Sequence, residues 1–393
     1  MSYKLADRVL RAKPSATNML DKRTKELIAQ GRDIIALNYG EPDFDTPPHV
    51  KQAAIAAIEA GKTKYTQVDG TPELKQAIIG KLQRENNLTY EANQILVSCG
   101  GKHSIANALQ ALLNVGDEVI IPAPFWVSYP EMVRIADGTP VIISADITQN
   151  FKITAAQLEK AITPKTKLFM LNSPSNPSGA AYTHAELVAL GEVLLRHPQV
   201  LILSDDLYEH ILWTAEPFHN IVNACPALYE RSIVINGVSK AYAMTGWRIG
   251  YAAGAAEIIK AMTLIQSQAT SCPCSISQAA SVAALNSDRH WMQPMVDAYK
   301  ERHDYMVPAL NEIPGFNCRY SEGAFYLFPN VEQAIAKLGL ADDMAFADYL
   351  LNKAEVSLVP GTPFGLPGYI RFSYATSMEL LQESVRRIRA AVL

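Results

Sequence analysis

Between residues 48 and 260, short and almost wholly apolar runs alternate with stretches of helical periodicity. No other feature of the chain constrains its fold as tightly. Ile95–Ser98, Glu118–Ile121, Pro140–Ser144, Lys167–Leu171, Leu201–Ser204, Ser232–Ile235 and Trp247–Ala252 read as strands, with helices such as Pro48–Glu59 between most of them. A strand that is apolar at successive positions must be covered on both faces. The pattern therefore predicts an α/β domain: a mostly parallel, seven-stranded sheet clothed by helices, with its ligand site beyond the carboxyl ends of the strands.

The flanks read differently. Residues 1–16 look like an arm, followed by a helical pattern carrying Leu20, Leu27 and Ile28. Ile34–Leu37 reads as a short strand, and Gly40–Pro48 as a long turn in which glycine and proline block regular structure. After the large domain, helical stretches from about 257 to 309 lead into a strand at Gly323–Phe328 and a helix near 341–352. Strands at Val356–Val359 and Tyr369–Tyr374 and a helix from about 378 to 391 follow. This predicts a smaller α+β domain. The expected division is 1–16 as arm, 17–47 as the first part of the small domain, 48–280 as the large domain and 281–393 as the rest of the small one.

Composition excludes several classes. Hydrophobic residues at 49% and charged residues at 19% supply a buried core and rule out disorder. A net charge of -4 without a long basic run argues against nucleic acid as a partner. Apolar runs are broken by charge or proline well short of a membrane span, and Met1–Lys13 lacks the apolar core of a secretory signal. Cys99, Cys225, Cys272, Cys274 and Cys318 are an odd, scattered set with no complete zinc pattern. They read as small packing residues in a reducing cytoplasm, and no metal is expected.

Four segments carry candidate chemistry. Ser98-Cys99-Gly100-Gly101-Lys102-His103 follows a strand and opens a helix, so free N–H groups can face an anion. Ser173-Pro174-Ser175-Asn176-Pro177-Ser178-Gly179 holds Asn176 on a stiff turn after another strand. Ser204-Asp205-Asp206-Leu207-Tyr208 puts a carboxylate at an apolar strand end, where it needs a positive partner. Asn236-Gly237-Val238-Ser239-Lys240 places a lysine among small residues, where lost hydration lowers its pKa, and Arg248 follows in a run that suits a phosphate. Each alone also reads as a turn, a cap or a surface charge. Together they ask for one ligand with a phosphate for Gly100, Gly101 and Arg248, and a carbonyl that forms an imine with Lys240. The same ligand has a basic nitrogen for Asp205 and an oxygen for Asn176 and Tyr208. Pyridoxal 5'-phosphate (PLP) has all of these.

On these residues the chain resembles the class I, fold-type I PLP-dependent aminotransferases, and within them the bacterial aspartate/prephenate subgroup. Lys13-Pro14-Ser15-Ala16-Thr17, Gly40–Pro47, Lys62–Thr66, Pro124–Pro130, Asn172–Gly179, Asn236–Tyr251, Gly323–Tyr326 and Arg371–Ala375 carry the resemblance. It implies that Lys240 is the Schiff-base lysine and proton shuttle, and that Asp205 pairs with the ring nitrogen. Asn176 and Tyr208 are implied as donors to the ring hydroxyl, and Trp126 as the stacked ring. Gly101, Lys102, Ser239 and Arg248 fall at or beside the phosphate, and Tyr65 reaches the phosphate of the other subunit of a homodimer. Arg371 is implied to grip the substrate α-carboxylate, helped by Gly40 and Asn176.

The segment Ala261–Ala280 contains no arginine to lend a partner for a distal carboxylate. The subgroup uses Ser15, Thr17 and Lys102 for that purpose, which favours aspartate or glutamate as donor and oxaloacetate or 2-oxoglutarate as acceptor. Prephenate or an aromatic or other amino acid is the alternative substrate, and a lyase or decarboxylase on the same fold is the alternative reaction. Tyr39, Asn18 and His103 depart from the subgroup pattern, and Tyr39 can narrow the substrate site.

Overall fold

The apolar runs build one sheet because every strand of it except the edge strand Thr139–Ser144 feeds two cores. In this computed structural model, which describes residues 3–393, the strands are Ile35–Ala36 (β1), Ile95–Ser98 (β2), Glu118–Ala123 (β3), Thr139–Ser144 (β4), Thr166–Asn172 (β5), Leu201–Asp205 (β6), Ser232–Gly237 (β7), Gly250–Ala253 (β8), Tyr326–Leu327 (β9), Val356–Ser357 (β10), Val359–Pro360 (β11) and Ile370–Ser373 (β12). The first two residues of the expected arm lie outside the described residues. Seven strands form the sheet in the order β2-β8-β7-β6-β5-β3-β4, with β8 antiparallel to both its neighbours. The links from β7 through β6, β5 and β3 to β4 are all parallel.

Side chains alternate along each strand. Ile202 packs with Val97, Phe169 and Val234 against the helices Pro48–Glu59, Pro72–Asn86, His184–Arg196 and Ser275–Asn286. Leu203 faces the other way, with Leu96, Met170 and Ile233, against Gly101–Leu112, Tyr129–Ile135 and Ala256–Ala269. Helix starts are set locally. Thr71 caps the helix at Pro72, and Thr183 with Glu186 forms a reciprocal capping box.

The second core lies in a smaller α+β lobe, around Tyr299, Leu310, Phe325, Phe346, Leu350, Phe372 and Ile388. The antiparallel set β11-β12-β9 and the parallel pair β1–β10 belong to it. The N-terminal segment thus joins this lobe by strand pairing. Ala284, Leu285 and Met292 pack with the large domain and Met295 onward with the small one. Packing places the change of core beyond residue 281, within the region 292–295.

Three strands are shorter or split. Trp247–Ala252 is not continuous: Thr245–Trp247 is a 3-10 turn, Arg248 is left-handed at φ 56°, and extended structure begins at Gly250. Gly323–Phe328 is reduced to β9 because Ala324 is also left-handed, at φ 58°. Val356–Val359 divides into β10 and β11, which pair with β1 and β12. Cys225 and Cys318 are buried as packing residues, whereas Cys274 is exposed at a helix start. Among the described residues, no helix is long and apolar enough to cross a membrane.

Candidate active site

Strand ends converge where the two lobes meet. β5 ends at Asn172 and β6 at Asp205, partners in the ladder. β2 turns through Cys99 and Gly100 into the helix Gly101–Leu112, and β7 leads on to Lys240. Arg371 comes down from β12. Between them is a cavity of about 290 Å³ lined by Ser15, Thr17, Tyr39, Gly40, Gly101, Lys102, Trp126, Asn176, Asp205, Tyr208, Lys240 and Arg371. An adjoining space of about 430 Å³ shares Gly101, Lys102, Trp126 and Lys240 and adds Ser239 and Arg248. Of the site residues singled out in the sequence, Gly100, His103 and Tyr65 line neither space. Gly100 acts through its backbone, and Tyr65 is 92% exposed.

One end is built for an anion. Gly100 caps the helix at φ +88°, and a Cβ there would sit 2.5 Å from Arg248 Nη2. Only glycine lets that guanidinium approach the helix start. Arg248 donates to the Thr245 carbonyl at 2.9 Å. Among the described residues, no carboxylate pairs with Arg248 or Lys102. Lost hydration and then Arg248's charge lower the Lys102 pKa. Lys102 Nζ lies 4.7 Å from the Trp126 ring centre.

The acid and the amine lie deeper. Asp205 is buried, takes a hydrogen bond from the Tyr129 hydroxyl at 2.6 Å and another from Leu207 N at 3.3 Å. Burial raises its pKa, opposed by Tyr129, by Leu207 N and by the Lys240 charge. Lys240 Nζ donates to the Gly40 carbonyl and lies 5.8 Å from the Tyr208 ring centre. Burial, then Arg371, then Arg248 lower its pKa to about 8, against the opposing pull of Glu41 and Asp205.

Arg371 is 2% exposed. Its Nη1 donates to Asn176 Oδ1 at 3.0 Å and its Nη2 to the Asn38 carbonyl at 2.7 Å, while Nε is buried without a partner. Its guanidinium lies 4.7 Å from the Tyr326 ring centre and 5.1 Å from that of Phe364. Among the described residues, no carboxylate pairs with it. A guanidinium buried without a counter-anion costs several kcal/mol, so the site is built for an arriving anion.

At the far wall, Ser15 Oγ and Thr17 Oγ1 are 2.9 Å apart. Ser15 also caps the helix Ala16–Ala29, so a structural role and a ligand-facing one coincide. The segment before it is held by Arg11 to Asp137 and by Lys13 N to Glu131 Oε2 at 2.8 Å. Tyr39 stands over Lys25, whose Nζ is 5.8 Å from its ring centre. Burial and then the hydrogen bond to Asp21 push the Tyr39 pKa to about 12, so the phenol stays protonated.

Sequence reasoning missed Tyr129, Tyr326 and Asn172. Tyr129 holds Asp205, and the Tyr326 hydroxyl meets that of Tyr208 at 2.9 Å. Asn172 Oδ1 accepts from Asn176 N at 3.0 Å, while its Nδ2 donates to the Asp205 carbonyl at 3.0 Å. Each partner is far away in sequence or shared through the backbone, so no local spacing signals it. Tyr208 sits in a hydrogen-bonded turn, with Glu209 N donating to the Asp206 carbonyl and Ile211 N to that of Tyr208.

Known proteins are similar to this chain in sequence and in fold. The sequence model for aminotransferase class I and II matches residues 32–388. The aspartate/prephenate aminotransferase of Nitrosomonas europaea is 56% identical over 391 residues, covering 98% of each chain. That of Cereibacter sphaeroides is 53% identical, with the same coverage. The crystal structure of the aspartate aminotransferase from Rhizobium meliloti superposes with a TM-score of 0.95 at 49% identity, over 100% of this chain and 99% of that one. Aspartate aminotransferase from Thermus thermophilus with maleate gives 0.94 at 40%, over 99% and 100%.

Proposed function

Since the chain belongs to the class I and II aminotransferases, and is a PLP-dependent enzyme moving amino groups between amino acids and 2-oxo acids, we propose that aspartate or glutamate is its donor, 2-oxoglutarate or oxaloacetate its acceptor, and prephenate a further acceptor. The observation that carries the reading is the far wall of the cavity, where Ser15 Oγ and Thr17 Oγ1 lie 2.9 Å apart in the space that Lys102 and the buried guanidinium of Arg371 also line, so that one ligand can offer a carboxylate at each end.

The residues present fit PLP. The glycine cradle at Gly100, Arg248 with no carboxylate partner among the described residues, and the helix N–H groups suit its phosphate. Asp205 suits the ring nitrogen, Asn176 and Tyr208 the ring hydroxyl, Trp126 a ring face, and Lys240 the covalent attachment, with Ser239 and Lys102 alongside. Bound there, PLP supplies the carbon that accepts the amino group and a ring that draws off the electron pair left when Cα loses its proton. Tyr65 is proposed to reach the phosphate of a second copy in a homodimer. Five unpaired cysteines fit a reducing cytoplasm.

Chemistry by the chain itself is then simple. Arg371 and Asn176 orient the α-carboxylate and so aim the Cα–H bond at Lys240. Lys240 Nζ takes that proton and returns it one position away. With a pKa of about 8, its amine is in part unprotonated near neutrality and its ammonium can still give a proton back. Asp205, kept ionised by a positive partner, holds that partner protonated. Ser15, Thr17 and Lys102 take a distal carboxylate, and maleate in the Thermus thermophilus enzyme is likewise a dicarboxylate.

The test is a single-turnover absorbance scan with L-aspartate, L-glutamate, L-phenylalanine or taurine and no 2-oxo acid. Aspartate and glutamate should convert the cofactor band fastest. Conversion by a non-acidic donor alone would remove the distal-carboxylate role of Ser15, Thr17 and Lys102.

Two further outcomes follow from single side chains. Tyr39→Ala should raise kcat/KM for phenylalanine relative to aspartate by about tenfold, because it opens the wall beside the substrate. An unchanged ratio would remove Tyr39 from that wall. In the cofactor-free protein, acylation of Lys240 by a small reagent should reach half its maximal rate near pH 8, against an ordinary lysine value of 10.5. Below that pH the amine gains a proton and reaction falls. A midpoint above pH 10, read by mass spectrometry, contradicts the depressed pKa.

A further inference from the structure

Beneath the site floor lies a polar group that the reaction does not use directly. Lys81, Asn86, Glu209 and Asn236 are all buried. Glu209 is the hub: Oε1 accepts from Lys81 Nζ and from Asn236 Nδ2 at 2.7 Å, and Oε2 accepts from Asn86 Nδ2 at 2.6 Å. Lys81 also donates to Asn86 Oδ1 at 2.7 Å. At the edge, His210 Nε2 meets Glu85 Oε2 at 2.8 Å, and Arg289 approaches the same oxygen at 3.8 Å.

Glu85, Glu209 and His210 have the composition of a metal site. Lys81 argues against one. Its ammonium is bonded to Glu209 and lies 3.8 Å from Glu85, so it already supplies the positive charge a cation would bring. Lys81 and His210 overcome the effect of burial and hold the Glu209 pKa at about 2, so the hub is a carboxylate.

The connectivity is what matters. Glu209 belongs to the turn that follows Asp205 and bears Tyr208, and Asn236 is the next-to-last residue of β7, the strand that leads to Lys240. Gly237 N donates to Asn236 Oδ1 at 2.7 Å, which turns the amide so that Nδ2 faces Glu209. We propose that Glu209 and Asn236 are positioning residues, whose hydrogen bond clamps the Asp205–Tyr208 turn to the Lys240 loop and sets the separation of acid and amine. The proposal rests on the roles given above to Asp205 and Lys240. A charge-assisted bond in a water-free interior is stiff, and a small displacement of reacting groups is costly in rate.

The test compares Asn236→Ala with Asn86→Ala in the holoenzyme. Both remove one buried hydrogen bond to the same carboxylate, but only the first releases the clamp. With saturating aspartate and 2-oxoglutarate, Asn236→Ala should lower kcat about tenfold with KM nearly constant. It should also move the pH midpoint of the cofactor's visible band by about 0.5 unit or more. Asn86→Ala should leave both near wild type while lowering Tm by a similar amount. Equal losses in the two variants, or none in Asn236→Ala, overturn the proposal. Asn236→Ser, too short to reach Glu209, carries the same expectation should the alanine variant not fold. A wild-type band that survives Lys240→Ala would instead overturn the assignment of Lys240, a different failure.

Discussion

Lys240→Ala is expected to lower kcat by about 10⁴-fold or more, since one side chain both holds the cofactor and moves the proton. No neighbour can substitute. The groups whose charges reach Lys240 are Arg371, Glu41, Arg248 and Asp205. The arginines do not deprotonate, Glu41 is exposed and takes a hydrogen bond from Thr245 Oγ1 at 3.0 Å, and Asp205 is engaged with Tyr129 and Leu207. Cofactor binding should persist in part through the phosphate end, because Gly100, Gly101 and Arg248 are untouched. The measurement is turnover of aspartate with 2-oxoglutarate, together with the visible spectrum. Partial recovery by an added small amine would mark a chemical rather than a folding loss. Near-normal turnover without added amine would take Lys240 out of the reaction.

Arg371→Lys is expected to raise KM for every amino donor by about 10²-fold, with a smaller change in kcat. The guanidinium now spans two acceptors, Asn176 Oδ1 and the Asn38 carbonyl, and lies over Tyr326 and Phe364. An ammonium has no planar fork with which to keep those bonds and also grip a carboxylate side-on. The loss should be the same for aspartate and phenylalanine, because the α-carboxylate is common to both. Donor-specific loss would place Arg371 at the side-chain end, and an unchanged KM would take it off the substrate altogether. The two variants also separate two parts of the site: Lys240→Ala acts on rate, Arg371→Lys on binding.

Much of this was legible in the sequence. The strands of the large sheet stand out in the sequence because most are apolar on both faces, and the edge strand Thr139–Ser144 because it is rich in β-formers, while the helices between them show their own period. The Trp247–Ala252 run reads as one continuous strand because its residue types are strand-like. The left-handed Arg248 that interrupts it is held by Thr245 and the Gly100 turn. Val356–Val359 was read as one strand because a run of β-formers carries no mark of the point where pairing switches from β1 to β12. Within the site, Lys240, Asp205 and Asn176 stand out because each lies beside a strand end and the set, rather than any one of them, fits a single ligand. Tyr129 and Tyr326 had no such mark.

The sequence by itself determined the layered α/β architecture, the strand ends that bear polar groups, and the kind of ligand those groups require. These follow from periodicity and from the cost of stranding a charge in an apolar run, both local properties of the chain. Tertiary structure alone decided that Arg371 meets Asn176, that Tyr129 supports Asp205, that Tyr39 stands against Asp21, and that Glu209 ties Asp205's turn to Lys240's loop. Those contacts join residues far apart in sequence. Their geometry depends on how the two cores pack, which no short window of residues encodes.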